Sequence, residues 1–150
     1  MNLFYFAYAS NLNIAQMAER KVSWRTKKKA ILPGYMLAFN VYSLSYGDHS
    51  VANVVKSSGA IVEGLLYELD TEESFAQLDT FEKRYERKEV RVTLVEEERE
   101  QKTFIYLAKP EFIVDNLPPA SAYLERIFTG GKEVFSEEYK NKLKSLLVSA

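Results

Sequence analysis

Of the carboxylates in the chain, Glu82 occupies the position best suited to proton transfer. The pattern predicts a helix from Thr71 to Glu82, advancing about 100° per residue. With Phe75 set at the origin, Leu78 falls at about −60° and Glu82 at about −20°. Glu82 therefore projects between two apolar residues, on the face that packs inward. Burial disfavours the charged form of a carboxyl and raises its pKa. The C-terminal end of a helix disfavours negative charge further. A carboxyl poised near neutral pH is the group that general acid/base chemistry uses. The alternative reading is a glutamate that snorkels past the helix end or pairs with a Lys or Arg. Asp79, three residues earlier, lies on a neighbouring face, where it orients a partner or solvates the helix.

The second candidate is the turn Tyr8-Ala9-Ser10-Asn11-Leu12. It joins an apolar strand to a helix start, where backbone N–H groups are free to meet a carboxylate or an oxyanion. Ser10 is a poor nucleophile candidate, because no G-x-S-x-G elbow surrounds it. Any Ser–His dyad would have to use His49, the single histidine. His49 sits in a loop with Gly47 and Asp48 and reads as solvated. Lys27-Lys28-Lys29 reads as a solvated strand end.

These candidates need elements to position them. Residues 3–8 form an aromatic, apolar run that predicts a buried strand. Asn13 is the expected N-cap of a short helix over 14–20, with Gln16 completing a capping-box pair and Ile14, Met17 and Ala18 on one face. Residues 24–42 predict one or two strands broken at Pro33-Gly34. A loop follows over 43–50, then strands over 51–56 and 60–69. Asp70 is the expected cap of the 71–82 helix, with Glu73 at N3. Val90, Val92 and Leu94 alternate with polar residues, so 88–108 predicts a hairpin turning at the charged run 96–100. A helix from Ala122 to Phe128 is expected to stop at Gly130-Gly131. The last helix starts near Ser136, with Tyr139, Leu143, Leu146 and Leu147 inward. Strands and helices do not alternate regularly, so a doubly wound parallel sheet is disfavoured. The order fits an α+β fold, a mixed sheet that can close into a barrel with helices around it.

Composition bounds the function. The 150 residues suit one domain. With no cysteine and one histidine, Cys-zinc sites, iron–sulfur clusters, disulfides and multi-histidine metal sites are excluded. Twenty Lys and Arg balance 21 Asp and Glu for a net charge of −1, which argues against a nucleic-acid partner. No run approaches the roughly 18 apolar residues of a membrane span, and the first residues read as a strand, not a signal peptide. A cytoplasmic protein without a membrane partner, monomeric or homodimeric, is the expectation.

Taken together, the motifs are more specific than their parts. Phe6-Ala7-Tyr8-Ala9-Ser10-Asn11-Leu12 resembles the F-A-Y-G-S-N-L signature of the gamma-glutamylcyclotransferase-like (AIG2-like) family, and Gln16-Met17 and Arg20 fit the helix that follows it. Pro33 to Phe39 is similar to the family's L-x-G-Y-x-L-x-F strand, and Val51 to Val55 to its A-x-I segment. Val62 to Leu69 resembles V-x-G-x-L-Y-x-L. Leu78-Asp79-Thr80-Phe81-Glu82, with Tyr85, Arg87, Val90 and Val92, resembles L-D-x-x-E-G-x-x-Y-x-R-x-x-V-x-V. Pro118 to Tyr123 is similar to P-P-S-x-x-Y. The resemblance runs in order over about residues 3–125.

It implies a small mixed β-barrel with flanking helices, and cyclisation of a γ-glutamyl group to 5-oxoproline with release of an amine, without metal or cofactor. Glu82 matches the family's catalytic glutamate. Tyr5, Phe6, Ala7, Tyr8, Ala9, Ser10 and Asn11 match its substrate loop, and Tyr85, Tyr106 and Tyr123 its pocket tyrosines. Two positions depart from the pattern. Ala9 replaces a glycine, which costs fit if that backbone has positive φ or must approach the substrate closely. Lys83 replaces the glycine after the catalytic glutamate, where its charge is expected to lower the Glu82 pKa. Two function classes stay open: a cyclotransferase acting on a small γ-glutamyl compound, and a non-catalytic module that keeps the pocket to bind a small ligand or a protein.

Overall fold

The computed structural model describes residues 2–148, with side chains over 2–145. Five strands close into one barrel: β1 (Phe4–Ala7), β2 (Trp24–Tyr42), β3 (Ser50–Leu69), β4 (Tyr85–Leu94) and β5 (Arg99–Ala108), in the order β1-β3-β2-β4-β5. Four α-helices flank it: α1 (Ile14–Glu19), α2 (Glu72–Asp79), α3 (Ser121–Gly131) and α4 (Glu137–Val148). The neighbouring pairs are antiparallel except β1 and β5, which meet in parallel at Tyr5 and Phe104 and close the barrel.

The expected break in β2 is a bulge. Pro33 pairs with Ile61 and Tyr35 with Lys56, so both strands run on through the irregularity. Gly34 and Gly59 supply it at φ +79° and +81°, a region that glycine enters without a Cβ penalty. The separate strands expected over 51–56 and 60–69 are therefore one strand, β3. The β4–β5 hairpin falls within the expected 88–108 region, extended to Tyr85. Val92 and Leu94 point into the barrel, and Glu89 and Arg91 point out.

The helices depart from expectation in four places. Thr71, not Asp70, caps α2: its hydroxyl accepts from Ser74 N–H, while Asp70 accepts from the Ser74 hydroxyl. Helix α2 ends at Asp79, so Glu82 lies beyond it. Asn13 caps α1 as expected, but Gln16 and Met17 turn inward, whereas Ile14 is 45% exposed and Ala18 is also exposed. The first turn of α1 thus buries a polar side chain, which joins a hydrogen-bond network under the helix. Helix α3 ends at Gly131 as expected, but Gly130 and Gly131 form its last turn instead of a left-handed cap beyond it. A Cβ on Gly130 would collide with the backbone of Leu12 and Asn13, and one on Gly131 with the Phe135 ring. These glycines let α3 lie directly on the turn that precedes α1. Tyr139 and Leu143 of α4 are buried as expected, and Leu146 and Leu147 lie outside the residues whose side chains are described.

Candidate active site

Strand β1 delivers its last aromatic residues to the open end of the barrel and then turns through a short 3-10 helix, Ser10–Leu12. Closure of the barrel puts this turn beside the bend that follows α2. The two segments meet through Asn11 and Glu82. Asn11 Nδ2 donates to Glu82 Oε1 at 3.3 Å and to Tyr5 Oη at 2.9 Å. Asn11 is itself clamped, because its Oδ1 accepts from Gln16 Nε2 at 2.8 Å and from Arg20 Nη1 at 3.1 Å. Gln16 Nε2 also donates to Ser10 Oγ at 2.9 Å, and Gln16 Oε1 accepts from Arg126 Nη1. This network is why Gln16 faces inward on α1.

The bend after α2 is tight. Phe81 N–H bonds to the carbonyl of Leu78, Glu82 N–H to that of Asp79, and Tyr85 N–H to that of Glu82. The Glu82 side chain is 13% exposed, with the Arg20 guanidinium 3.6 Å from Oε1. Burial pushes its carboxyl up from 4.5 to about 7. Arg20, Arg84 and the Asn11 hydrogen bond oppose the rise, and Asp79 adds to it. The expected influence of Lys83 is not among these. Lys83 is exposed and does not line the cavity, and the neighbouring cation that Glu82 feels is Arg84. Asp79 is held in place by Tyr106 Oη, which donates to it at 2.6 Å, and by Arg87 Nε at 3.1 Å.

A cavity of about 110 Å³ opens in front of Glu82. Tyr5, Tyr8, Ala9, Ser10, Asn11, Glu82, Tyr85, Tyr106 and Tyr123 all line it. Phe6 and Ala7 are the two expected loop residues that do not. Both are fully buried in the barrel, with Phe6 against Gly64 and Ala7 paired with Leu65. Tyr85 Oη donates to the carbonyl of Ala52, and the N–H of the same residue donates to Tyr123 Oη, so both rings are pinned to β3. Burial holds the hydroxyls of Tyr5, Tyr8, Tyr85, Tyr106 and Tyr123 above the ordinary tyrosine range, so they remain protonated donors. Among the described residues no base bonds the Ser10 hydroxyl, which accepts from Gln16, and the His49 ring is engaged with the Tyr46 carbonyl.

The backbone at Ala9 has φ −138°. That value is not the positive φ that would call for a glycine, although ψ is −123°, outside the α and β regions, and Ala9 lines the cavity. Sequence reasoning missed Arg84, Tyr46, Ser43 and Ser45, which also line the cavity. It placed Arg20 in a motif without giving it a partner. The i, i+4 spacing of Gln16 and Arg20 was the available signal that both face the turn. Arg84 carried no such signal.

Residues 5–125 match the family described as Gamma-glutamyl cyclotransferase, AIG2-like. Gamma-glutamyl cyclotransferase verK of Clonostachys rogersoniana is 31% identical over 52 residues, which are 35% of this chain and 29% of that protein. The crystal structure of YkqA from Bacillus subtilis superposes with a TM-score of 0.83 at 25% identity, covering 98% of this chain and 54% of that one. A structure named Gamma-glutamyl cyclotransferase superposes with a TM-score of 0.79 at 26% identity, over 95% of this chain and 86% of that one. The chain thus spans about half of YkqA and aligns with under a third of verK. With the family matched across both the turn and Glu82, the chain belongs to the gamma-glutamyl cyclotransferase, AIG2-like family.

Proposed function

We propose that this protein is a γ-glutamyl cyclotransferase that releases 5-oxoproline and a free amine, with Glu82 as its general acid/base. The observation that carries the reading is the 3.3 Å contact between Asn11 and Glu82, which joins an anion-binding turn to a buried acid across 71 residues. In this reading the substrate's γ-glutamyl group enters the cavity with its carboxylate toward the 8–12 turn. The first N–H groups of that helical turn have no intrahelical partner and suit an anion. The substrate α-amino nitrogen attacks its own γ-carbonyl carbon while the Glu82 carboxylate takes a proton from it. The new C–N bond closes the ring, and the carbonyl oxygen carries the developing charge. Glu82 then returns the proton to the leaving nitrogen as the old C–N bond breaks. One C–N bond forms and one breaks, and water is neither consumed nor released.

A carboxyl that titrates at about 7 suits both halves of this cycle, because a group shuttling protons works best with its pKa near the working pH. The negative φ of Ala9 and the exposed place of Lys83 support an active site over a silenced one. A panel of γ-glutamyl compounds assayed for 5-oxoproline, wild type beside Glu82→Gln, tests the reading. It predicts product from at least one compound with wild type, and a fall of about 10²–10⁴-fold in the variant. Binding of such compounds without any 5-oxoproline would transfer the site to the non-catalytic class.

A further inference from the structure

Helix α3 sends two side chains toward the open end of the barrel. Tyr123 lines the cavity. Arg126 follows one turn later and reaches Gln16 of α1, 110 residues away in sequence, where its Nη1 donates to Gln16 Oε1 at 2.9 Å. Arg126 also faces Glu19 at 3.7 Å, on the surface, where the two side chains are 42% and 66% exposed. Gln16 and Asn11 are buried, so their amides depend on protein partners.

The roles of those partners fix a direction. A carboxamide carries an acceptor at one end and donors at the other, and a half turn exchanges them. The Ser10 hydroxyl, 2.9 Å from Gln16 Nε2, serves either role. Asn11 does too, if it turns. A guanidinium only donates. Of the groups that meet the Gln16 amide, Arg126 is thus the one that cannot change role. It requires Oε1 of Gln16 to face it, which leaves Nε2 to donate to Asn11 Oδ1 at 2.8 Å. Asn11 Nδ2 is then left to donate to Glu82 Oε1 at 3.3 Å. Arg20, another obligate donor, holds Asn11 Oδ1 in the same sense at 3.1 Å.

We infer that Arg126 is a positioning residue for Glu82: it orients the Gln16 and Asn11 amides so that a donor, not an acceptor, meets the acid. The part of that acid in turnover rests on the cyclotransferase reading, whereas the direction of the hydrogen-bond chain does not. Arg126 lies just past the 5–125 stretch that carries the family match. Gly130 seats the same helix on the backbone of Leu12 and Asn13, which keeps the arginine in register with the turn whose amide it orients. Without Arg126, Gln16 is free to turn its oxygen toward Asn11, and Arg20 alone then holds Asn11.

The test starts from Arg126→Met, which keeps an aliphatic stem and removes the donors. Its kcat for 5-oxoproline formation is expected to fall about 3–10-fold, the effect of one hydrogen bond, with KM changed by about twofold or less. Arg126→Lys, still a pure donor, should restore part of the loss. Arg126→Glu, an acceptor that draws Gln16 Nε2 away from Asn11, should lose more than Arg126→Met. Glu19→Gln removes only the surface ion pair and should stay within about twofold of wild type. Because Arg126 acts through Gln16, Arg126→Met should add nothing to Gln16→Leu in a double-mutant cycle.

A second readout needs no turnover. The Asn11 side-chain amide, bonded to Glu82, should follow the titration of that carboxyl in NMR spectra recorded across pH. The charged groups that bear on Glu82, namely Arg20, Arg84 and Asp79, are the same in every variant. The Asn11 hydrogen bond favours the ionised acid, so loosening it in Arg126→Met should raise the midpoint, and that rise should vanish in the Gln16→Leu background. Wild-type kcat and midpoint in Arg126→Met, additive losses in the cycle, an Arg126→Glu no worse than Arg126→Met, or an equal loss in Glu19→Gln would each overturn the assignment. If no γ-glutamyl compound yields 5-oxoproline while the Asn11 signal still depends on Arg126 through Gln16, Arg126 keeps its role and the cyclotransferase reading falls.

Discussion

Gln16 donates its side-chain amide to Asn11 Oδ1 at 2.8 Å, and that bond sets which way the Asn11 carboxamide points. With Oδ1 turned to Gln16 and Arg20, Nδ2 must face Tyr5 Oη and Glu82 Oε1. The orientation is the one in which Asn11 donates to an acceptor instead of confronting the Glu82 oxygen with its own. Gln16 is therefore a positioning residue for the acid, reached through one intermediary.

Gln16→Leu removes a buried donor and acceptor while keeping the volume similar. It leaves Ser10 and Arg126 each short of a partner. The expected loss of stability is about 1–3 kcal/mol, the usual consequence of stranding buried polar groups, read as a lower urea midpoint. Turnover should fall with kcat affected more than KM, since the Asn11–Glu82 pair loosens while the tyrosine walls stay pinned. A variant with unaltered kcat would show that Arg20 alone orients Asn11.

Gly64 lies in β3 where β1 crosses closest. A Cβ there would collide with the carbonyl oxygen of Ala7 and the Phe6 ring. The ring has some freedom to turn, but the carbonyl belongs to a ladder and cannot retreat without moving β1. Gly64→Ala should therefore cost about 1–3 kcal/mol, as overpacking in a closed core does, and should lower activity by displacing the turn that β1 feeds. Thermal unfolding compared with an alanine at the exposed Gly47 checks it. That control meets no atom within 4 Å, but it sits at φ +69° and carries only the backbone strain. Gly64→Ala should lower 5-oxoproline formation through the displaced β1, while Gly47→Ala, beside Tyr46 of the cavity lining, is a control for stability alone.

Which residues gather at the cavity was more legible in the sequence than how the chain brings them there. An ideal helical wheel singles out Glu82, yet α2 ends at Asp79 and the chain tightens into i to i+3 bonds before Glu82. What turns the carboxyl inward is the donor on Asn11 and the bend leading to Tyr85, contacts made by distant segments that no local period contains. The strands were legible because Val92 and Leu94 alternate cleanly with polar neighbours, but the continuity of β2 and β3 through paired glycines was not, since Pro-Gly reads locally as a stop. Gly130-Gly131 marks the end of α3 as read, but not the close approach to Leu12 and Asn13 that Gly130 permits. A glycine needed for close approach and a glycine needed to end a helix look identical until the neighbouring backbone is known. Ile14 parted from the face it was expected to share with Met17, because a polar network under α1 draws Gln16 inward.

The departures from the family pattern should prove nearly silent. Lys83 is exposed, outside the cavity lining, and Lys83→Gly should change turnover by about threefold or less, as surface substitutions do. Ala9 has no positive φ for a glycine to relieve, and Ala9→Gly should slightly lower stability by loosening the turn. A double variant that raises 5-oxoproline formation by about tenfold or more would mean that the two side chains obstruct the substrate.

The most direct test of Glu82 couples its protonation to folding. Its carboxyl titrates at about 7 in the fold against 4.5 when unperturbed, with burial as the main cause. The folded state therefore holds the proton more tightly than the unfolded state does. Between these values the folded protein binds more protons, so stability falls as pH rises. The contribution is fully present below about 4.5 and is lost as pH climbs through 7. A shift of this size corresponds to something on the order of 3 kcal/mol. Glu82→Gln is nearly isosteric and cannot ionise, so it escapes the loss. Relative to wild type, its stability should improve progressively from about pH 4.5 to about pH 8, measured by urea unfolding at a series of pH values, so that groups common to both proteins cancel. At and above about pH 7, where the wild-type carboxyl is ionised, its 5-oxoproline formation should be depressed by about 10²–10⁴-fold, and the gap should narrow as pH falls and the wild type becomes protonated. The variant would then be the more stable protein at the alkaline end and the less active one. A stability difference that is flat across pH, or that runs the other way, would show that Glu82 is charged in the fold through Arg20 and Arg84, and would remove the physical basis for its role as a proton shuttle.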